Sequence, residues 1–176
     1  LDLGPELISD SNLVELAEAL SLIPEDIQTK SHFPRRASVG LPFLFVEVRN
    51  RDALARVQVR AEKWSRISQR YDCAAIHLYT RDTETAEKDL TCRMFVCTPN
   101  VREDPATGSA NCALAGLLAT LSTESSGTFI YRIAQGIDMG RPSELFATAV
   151  KIANTVSEVR IGGACVSVAS GSIEID

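Results

Sequence analysis

Apolar positions recur along the chain with two different periods. Leu13, Leu16, Ala17 and Leu20 fall on one side of a helix that Asp10 or Ser11 can cap, and Pro24-Glu25-Asp26 ends it or starts a further turn. From Gln28 to Val39 the pattern dissolves into polar residues, a His and paired arginines, which predicts an exposed connection with Arg35 and Arg36 as solvated loop charges. Leu41–Val48 is rich in Phe, Leu and Val, the composition of a strand buried on both faces. Asp52–Val59 spaces Leu54 and Val57 as a helix does, and Ala61–Tyr71 does the same with Trp64, Ile67 and Tyr71, Trp64 serving as a core anchor. Ala74–Thr80 and Leu90–Val96 alternate in part, and the charged stretch Arg81–Lys88 between them predicts a hairpin. His77 falls on the less apolar face of its strand, where a hydrogen-bonded structural imidazole is expected.

From about Thr107 to Leu121 small and apolar residues occur nearly all round a helix, and a helix without a polar face is a buried one. Its small side chains let a sheet approach closely. Beyond it the chain is strand-like over Thr128–Gln135, Ser143–Val150, Ser157–Ile161, Cys165–Ala169 and Ser172–Ile175, with Gly162-Gly163 predicting a tight hairpin and Ser170-Gly171 a second turn. Helices and strands followed by a meander predict an α+β fold, a mixed, mostly antiparallel sheet wrapped round a buried central helix.

Length and charge narrow the function classes. The 176 residues suffice for one domain or, the favoured reading, one domain plus an appended piece of a neighbour, and 18 basic against 23 acidic residues, a net charge of -5, supply no cationic surface for nucleic acid. No apolar run approaches the roughly 20 residues that span a bilayer, so no membrane partner is expected. Leu1 begins neither a signal peptide nor a natural reading frame, and the start reads as a cut. Five scattered cysteines without a C-x-x-C pair suggest neither a zinc site nor a disulfide framework and fit a reducing, cytoplasmic setting. With only His32 and His77 present, at no characteristic spacing, a Ser-His-Asp triad has no support.

The chemistry concentrates where the polar turn Glu103-Asp104-Pro105-Ala106-Thr107-Gly108-Ser109 runs into the apolar helix. The first N–H groups of a helix lack intrahelical partners, and the aligned peptide dipoles favour an anion there. Thr107, Gly108, Ser109 and Ala110 are therefore candidate substrate-binding residues: Gly108 permits close approach to the backbone, and Thr107 and Ser109 add hydroxyls. Asp104 and Ser109 are the catalytic candidates, and Arg93 and Arg141 are weaker ones, more consistent with structural or surface roles. No Lys follows Gly108, so the string is not a Walker phosphate loop, and capping alone would also select Asp, Thr and Ser before a helix.

Arg93-Met94-Phe95 followed by Glu103-Asp104-Pro105-Ala106-Thr107-Gly108-Ser109-Ala110 resembles the signature of the phenazine-biosynthesis PhzF-like isomerase family, which shares its fold with diaminopimelate epimerase and proline racemase. Ser38-Val39-Gly40-Leu41-Pro42, Gln135-Gly136-Ile137-Asp138-Met139-Gly140-Arg141-Pro142-Ser143 and Val159-Arg160-Ile161-Gly162-Gly163 agree in order. The resemblance covers Gly40 to Asp176 best, with residues 1–39 a weaker lead-in. It departs from the common pattern at Cys97, where the family has Pro, and at Asn100, where it has Gly. Such proteins have two similar domains with the site in the cleft between them, and this chain resembles the second. The resemblance implies that residues 1–176 form one domain and that strands over 157–176 border an absent first domain. It also implies that Asp104 and Ser109 match the second-domain active-site pair, and that the acid/base Glu lies upstream. The related epimerases and racemases carry a Cys on this loop, so Cys97 and Cys112 raise a racemase alternative.

Two readings follow. One is half of a cofactor-independent isomerase that moves a proton on a small carboxylic-acid metabolite, needs no metal, and has the N-terminal half of the same protein as partner, with a homodimer left open. The other is a non-catalytic binding or interaction module that keeps an anion pocket.

Overall fold

The computed structural model describes residues 1–6, 9–97 and 100–174. Along them run strand β1 (Asp2–Glu6), helix α1 (Asp10–Leu20), a 3₁₀ turn at Pro24–Asp26, and strands β2 (Arg35–Ser38) and β3 (Pro42–Glu47). Helices α2 (Arg51–Arg56) and α3 (Ala61–Tyr71) and strands β4 (Ala75–Thr80), β5 (Leu90–Val96) and β6 (Arg102–Asp104) follow. Helix α4 (Gly108–Leu121) leads to strands β7 (Gly127–Gln135), β8 (Ser143–Ile152) and β9 (Thr155–Gly163).

The strands of the described residues form one sheet in the order β1-β2-β3-β4-β5-β7-β8-β9, with β6 added on β5. The pairs β3–β4 and β5–β7 are parallel, and the others are antiparallel. Parallel neighbours need a crossover. Helices α2 and α3 supply the first and α4 the second, and the two sets lie on opposite faces of the sheet. Alternation along β4 divides the core accordingly. Ile76 and Leu78 pack with Leu16, Leu20, Leu54, Trp64 and Ile67 of α1–α3, whereas Ala75 and Tyr79 join Phe45, Met94 and the helix residues Ala113, Leu114 and Leu117 around α4. Central strands covered on both faces read as nearly continuous apolar runs. By contrast, β7 and β8 turn one face inward, with Ile133, Gln135, Leu145, Ala147 and Ala149 buried, and leave Ile130 and Phe146 exposed on the other, which is why they alternate so clearly.

The buried helix and the sheet curled round it are as the sequence predicts. Gly116 shows why small residues are needed: a Cβ there would lie 3.3 Å from Leu1 and Val159, side chains from opposite ends of the sheet. The predicted β4–β5 hairpin is present, with His77 opposite Met94. Ser9, one residue before the expected candidates, caps α1 by accepting from Asn12 N–H at 3.3 Å.

Three expectations of strand and turn fail. The segment before Gly40 is not all open connection: Arg35–Ser38 is a strand between β1 and β3, where Arg35 pairs with Glu6 and Arg36 with Asp2, so the charges are answered across the strands. Gly162-Gly163 does not turn the chain but ends β9, whose hairpin with β8 is made by Ala153 and Asn154 at φ 47° and 67°. Two successive positive φ values match the twist of the flanking strands. Residues 164–174 form no strand and Ser170-Gly171 no hairpin turn, while residue 175 lies outside the described residues. Among the described residues, no helix is long and apolar enough to cross a membrane.

His77 is completely buried and sits edge-on to Phe45, with ring centroids 5.6 Å apart. Contrary to expectation, neither ring nitrogen has a partner in hydrogen-bond geometry among the described residues. Burial pushes its pKa down to about 3, and the adjacent Asn111 side chain, which favours the charged form, offsets only part of this. The unfolded chain binds a proton here below about pH 6.5, whereas the folded chain does not until about pH 3, so acidification favours unfolding. Stability carried by His77 is therefore full above pH 6.5 and declines by about 1.4 kcal/mol per pH unit below it. Urea unfolding between pH 7 and pH 4 should show a slope shallower by that amount in His77→Leu than in the parent chain; equal slopes would refute the assignment.

Candidate active site

Strand β6 is short, and side chains rather than length hold it in place. On the face toward α2, Arg93 of β5 makes a two-pronged ion pair with Glu103, both contacts 2.8 Å, and its Nη1 donates to the carbonyls of Leu54 at 2.9 Å and Ala55 at 3.1 Å at the end of α2. Arg93 is thus a structural clamp and takes no part in the cleft. The pair fixes Glu103 opposite Phe95, and alternation then turns Asp104, opposite Met94, toward α4.

After Asp104 the chain bends through Pro105 and Ala106 into α4. Gly136 packs directly against this bend. It adopts φ +78°, and a Cβ there would lie 2.8 Å from the Pro105 carbonyl oxygen and would also strike the carbonyl of Arg141. Only glycine meets both constraints. The return from Gly136 is closed by Arg141 N–H donating to Gly136 O at 3.0 Å.

Gln135, fully buried at the end of β7, is the hub of the turn. Its Nε2 donates to Asp104 O at 2.7 Å and to Thr107 Oγ1 at 3.0 Å, while its Oε1 accepts from Thr107 N–H at 3.3 Å and from Asn111 Nδ2 at 2.8 Å. Thr107 Oγ1 donates in turn to Asp104 Oδ2 at 2.6 Å. Because that hydroxyl faces inward, Thr107 caps no helix N–H with its side chain. The first N–H in α4 to find a carbonyl is that of Asn111, bonded to Thr107 O at 3.1 Å. The N–H groups of Gly108, Ser109 and Ala110 have no hydrogen-bond partner among the described residues. Three donors and the positive end of the helix dipole meet at one place.

Beside them lies a cleft of about 700 Å³ lined by Ala106, Gly108, Leu145, Ile161, Gly162 and Cys165, among others. Gly108 forms part of its wall, and Ser109 is exposed at the helix start. The side chains of Thr107 and Ala110 are buried, so the outward groups these two residues can offer a ligand are backbone ones. Asp104 is half-buried, and its Oδ1 has no partner among the described residues. Arg141 is exposed. Cys97 is buried, its thiol pushed up to about 12, and Cys112 lies within α4 with its thiol also raised by burial. Neither is on the turn, and a raised thiol is a poor proton acceptor at neutral pH, which disfavours the racemase alternative. Among the described residues, no group of three or more His, Cys, Asp or Glu side chains could hold a metal ion.

Gln135 and Asn111 received no role from sequence reasoning. Asn111 carried a signal, since an amide in an otherwise apolar buried helix requires partners.

The family described as "Phenazine biosynthesis-like protein" (PhzC-PhzF) matches residues 7–171, and the chain belongs to it. It is 32% identical over 163 residues to an uncharacterized isomerase of Mesorhizobium japonicum, covering 91% of this chain and 54% of that protein. It is also 32% identical over 162 residues to the trans-2,3-dihydro-3-hydroxyanthranilate isomerase of Pseudomonas chlororaphis, covering 91% of this chain and 52% of the relative. The chain therefore spans about half the length of the curated relatives it matches. The fold agrees with the crystal structure of the Bacillus anthracis phenazine biosynthesis protein of the PhzF family, with a TM-score of 0.74 and 19% identity over 92% of this chain and 57% of that one. The relatives place the chain in a family that includes isomerases.

Gly136→Ala should displace the turn or strain it, lowering stability by about 2 kcal/mol or more. Urea unfolding would measure the loss, and a stability within about 0.5 kcal/mol of the parent would show that the close approach to Pro105 is dispensable.

Proposed function

We propose that this chain is the C-terminal half of an isomerase that moves a proton on a small carboxylic-acid substrate without metal or organic cofactor. The observation that carries the reading is the start of α4, where the N–H groups of Gly108, Ser109 and Ala110 lack partners among the described residues, the natural capping hydroxyl being turned onto Asp104. Such an end holds a substrate carboxylate and stabilises negative charge that develops on it during proton abstraction. Ser109 Oγ adds a donor, and Asp104 Oδ1 accepts from the substrate or relays its proton. The acid/base Glu comes from the other half of the protein, across the cleft, and a cytoplasmic location belongs to the same reading. Val166, Val168 and Ile173 are at least 86% exposed, which supports a tail that borders that other half.

A binding module that keeps the anion pocket is the second reading, supported by the cleft of about 700 Å³ beside the open N–H groups of α4, which needs no acid/base group to hold an anion. Solvent-deuterium exchange into trans-2,3-dihydro-3-hydroxyanthranilate and a panel of small amino and hydroxy acids, followed by NMR, separates the two. Exchange by the longer protein and not by this chain alone supports the isomerase half, whereas no exchange by either favours the binding module. In the longer protein Ser109→Ala should lower kcat/KM about 10²–10³-fold, the cost of losing one preorganised donor, and Asp104→Asn should cost at least as much. Unchanged turnover in both variants would sink the assignments.

A further inference from the structure

Three fully buried polar side chains, His77 on β4, Asn111 on α4 and Gln135 on β7, come from separate elements yet lie in one layer beneath the turn. Hydrogen-bond logic fixes how the amides point. Asn111 Nδ2 faces two acceptors, Thr107 O and Gln135 Oε1, each at 2.8 Å, so its nitrogen cannot exchange places with its oxygen. Gln135 Nε2 faces Asp104 O, which fixes the second amide in the same way. Thr107 Oγ1 accepts from Gln135 and has one proton left, which goes to Asp104 Oδ2. At the far end Asn111 Oδ1 and both His77 nitrogens are buried without partners in hydrogen-bond geometry among the described residues, and the two side chains are adjacent. An imidazole N–H directed at Asn111 Oδ1 satisfies two of these groups together.

We propose that His77, Asn111, Gln135 and Thr107 form a one-way chain of donors ending on Asp104, in which Gln135 is the residue that positions the site carboxylate. The proposal rests on the reading of Asp104 as that carboxylate. Three donations are formed, amide to amide, amide to hydroxyl and hydroxyl to carboxylate, the proposal adds the imidazole beside Asn111 at their head, and successive donations polarise one another. Gln135 holds the turn at three atoms, Asp104 O, Thr107 N and Thr107 Oγ1. It thereby determines two things together. Oδ2 of Asp104 is anchored inward, leaving Oδ1 for a ligand, and the Thr107 hydroxyl is kept from capping, leaving the helix N–H groups for the same ligand. A packing role alone needs only a side chain of glutamine's volume. The donor chain needs the Nε2 protons.

Three-bond couplings that report Asp104 χ1, measured by NMR on this chain, test the difference. The parent should show a single Asp104 rotamer and a slowly exchanging Thr107 hydroxyl proton. Gln135→Met, close in volume but without the donor, should average the rotamer and lose the hydroxyl signal. Thr107→Ser should keep the single rotamer and Thr107→Val should lose it, which decides the matter even if the Gln135 variant does not fold. The His77 ring should show one protonated and one bare nitrogen at pH 7, and Asn111→Leu should shift the protonated one. A single Asp104 rotamer surviving in Gln135→Met or in Thr107→Val overturns the proposal. In the longer protein, Gln135→Met should reduce proton exchange about 100-fold in kcat with KM little changed, the signature of lost positioning. A loosened Asp104 with undiminished proton exchange would leave the donor chain standing and remove Asp104 from the isomerase reading.

Discussion

The burial of α4 on nearly every side constrains the rest of the molecule. A helix with Ala110, Ala113, Leu114, Leu117 and Leu118 all inside can be covered only by a sheet that bends round it, and the β5–α4–β7 crossover places it on the concave face. Once the helix is held this way its first turn has no freedom to move. The turn must open where β6, β7 and β9 end around it, and the cleft beside Gly108 and Ile161 is the result. The position of the site thus follows from apolar burial, and its chemistry is added by the few polar residues that burial tolerates.

The opposite face of the sheet stabilises the same arrangement differently. Helices α1–α3 cover Ile76, Leu78 and Phe95, so the strands under the site are supported from both sides. The irregular stretch before β2 is tied down by a buried cluster: His32 Nδ1 lies 2.6 Å from Phe33 O, and Tyr79 OH, with its single proton, lies between His32 Nε2 at 2.7 Å and a Glu47 carboxylate oxygen at 2.9 Å. Arg81 reaches the second Glu47 oxygen at 3.2 Å. Burial lowers the His32 pKa and raises that of Tyr79, whose neutral form suits its place beside Glu47. A segment that looks open in sequence is therefore ordered by side chains whose partners lie far along the chain.

That contrast explains what could be read from the sequence. The helical periods of α1 and α3, the pairing of β4 with β5 and the polar turn into a helix without a polar face are local patterns, and all are present. Strand β2 was hidden because Arg35 and Arg36 look like loop charges until Glu6 and Asp2 lie opposite them. The two glycines at 162 and 163 suggested a turn, yet a Cβ on Gly163 would lie 3.0 Å from Glu144 O, so at least one of them serves close strand approach. In the site, Asp104, Gly108 and Ser109 stood out because they share one turn. Gln135 did not, since it acts on Thr107 across 28 residues of sequence and only the parallel β5–β7 pairing brings it there.

The start of α4 gives up something that helices usually keep. A side-chain cap on the first turn is worth about 1 kcal/mol, and Thr107 is a residue that could provide one. Its hydroxyl instead joins Gln135 and Asp104, while the backbone donors beside it stay open. In a purely structural helix nothing would oppose the small rotation that restores the cap. Here the Gln135 amide opposes it, since turning the Thr107 hydroxyl outward would break its bonds to Asp104 and to Nε2 together. Donors left unpaired among the described residues at a cleft, beside a carboxylate anchored by one oxygen, form an arrangement held against its own local preference by the packing beneath it. Where buried polar groups work against a local cap in this way, a ligand is the natural partner for the groups left open.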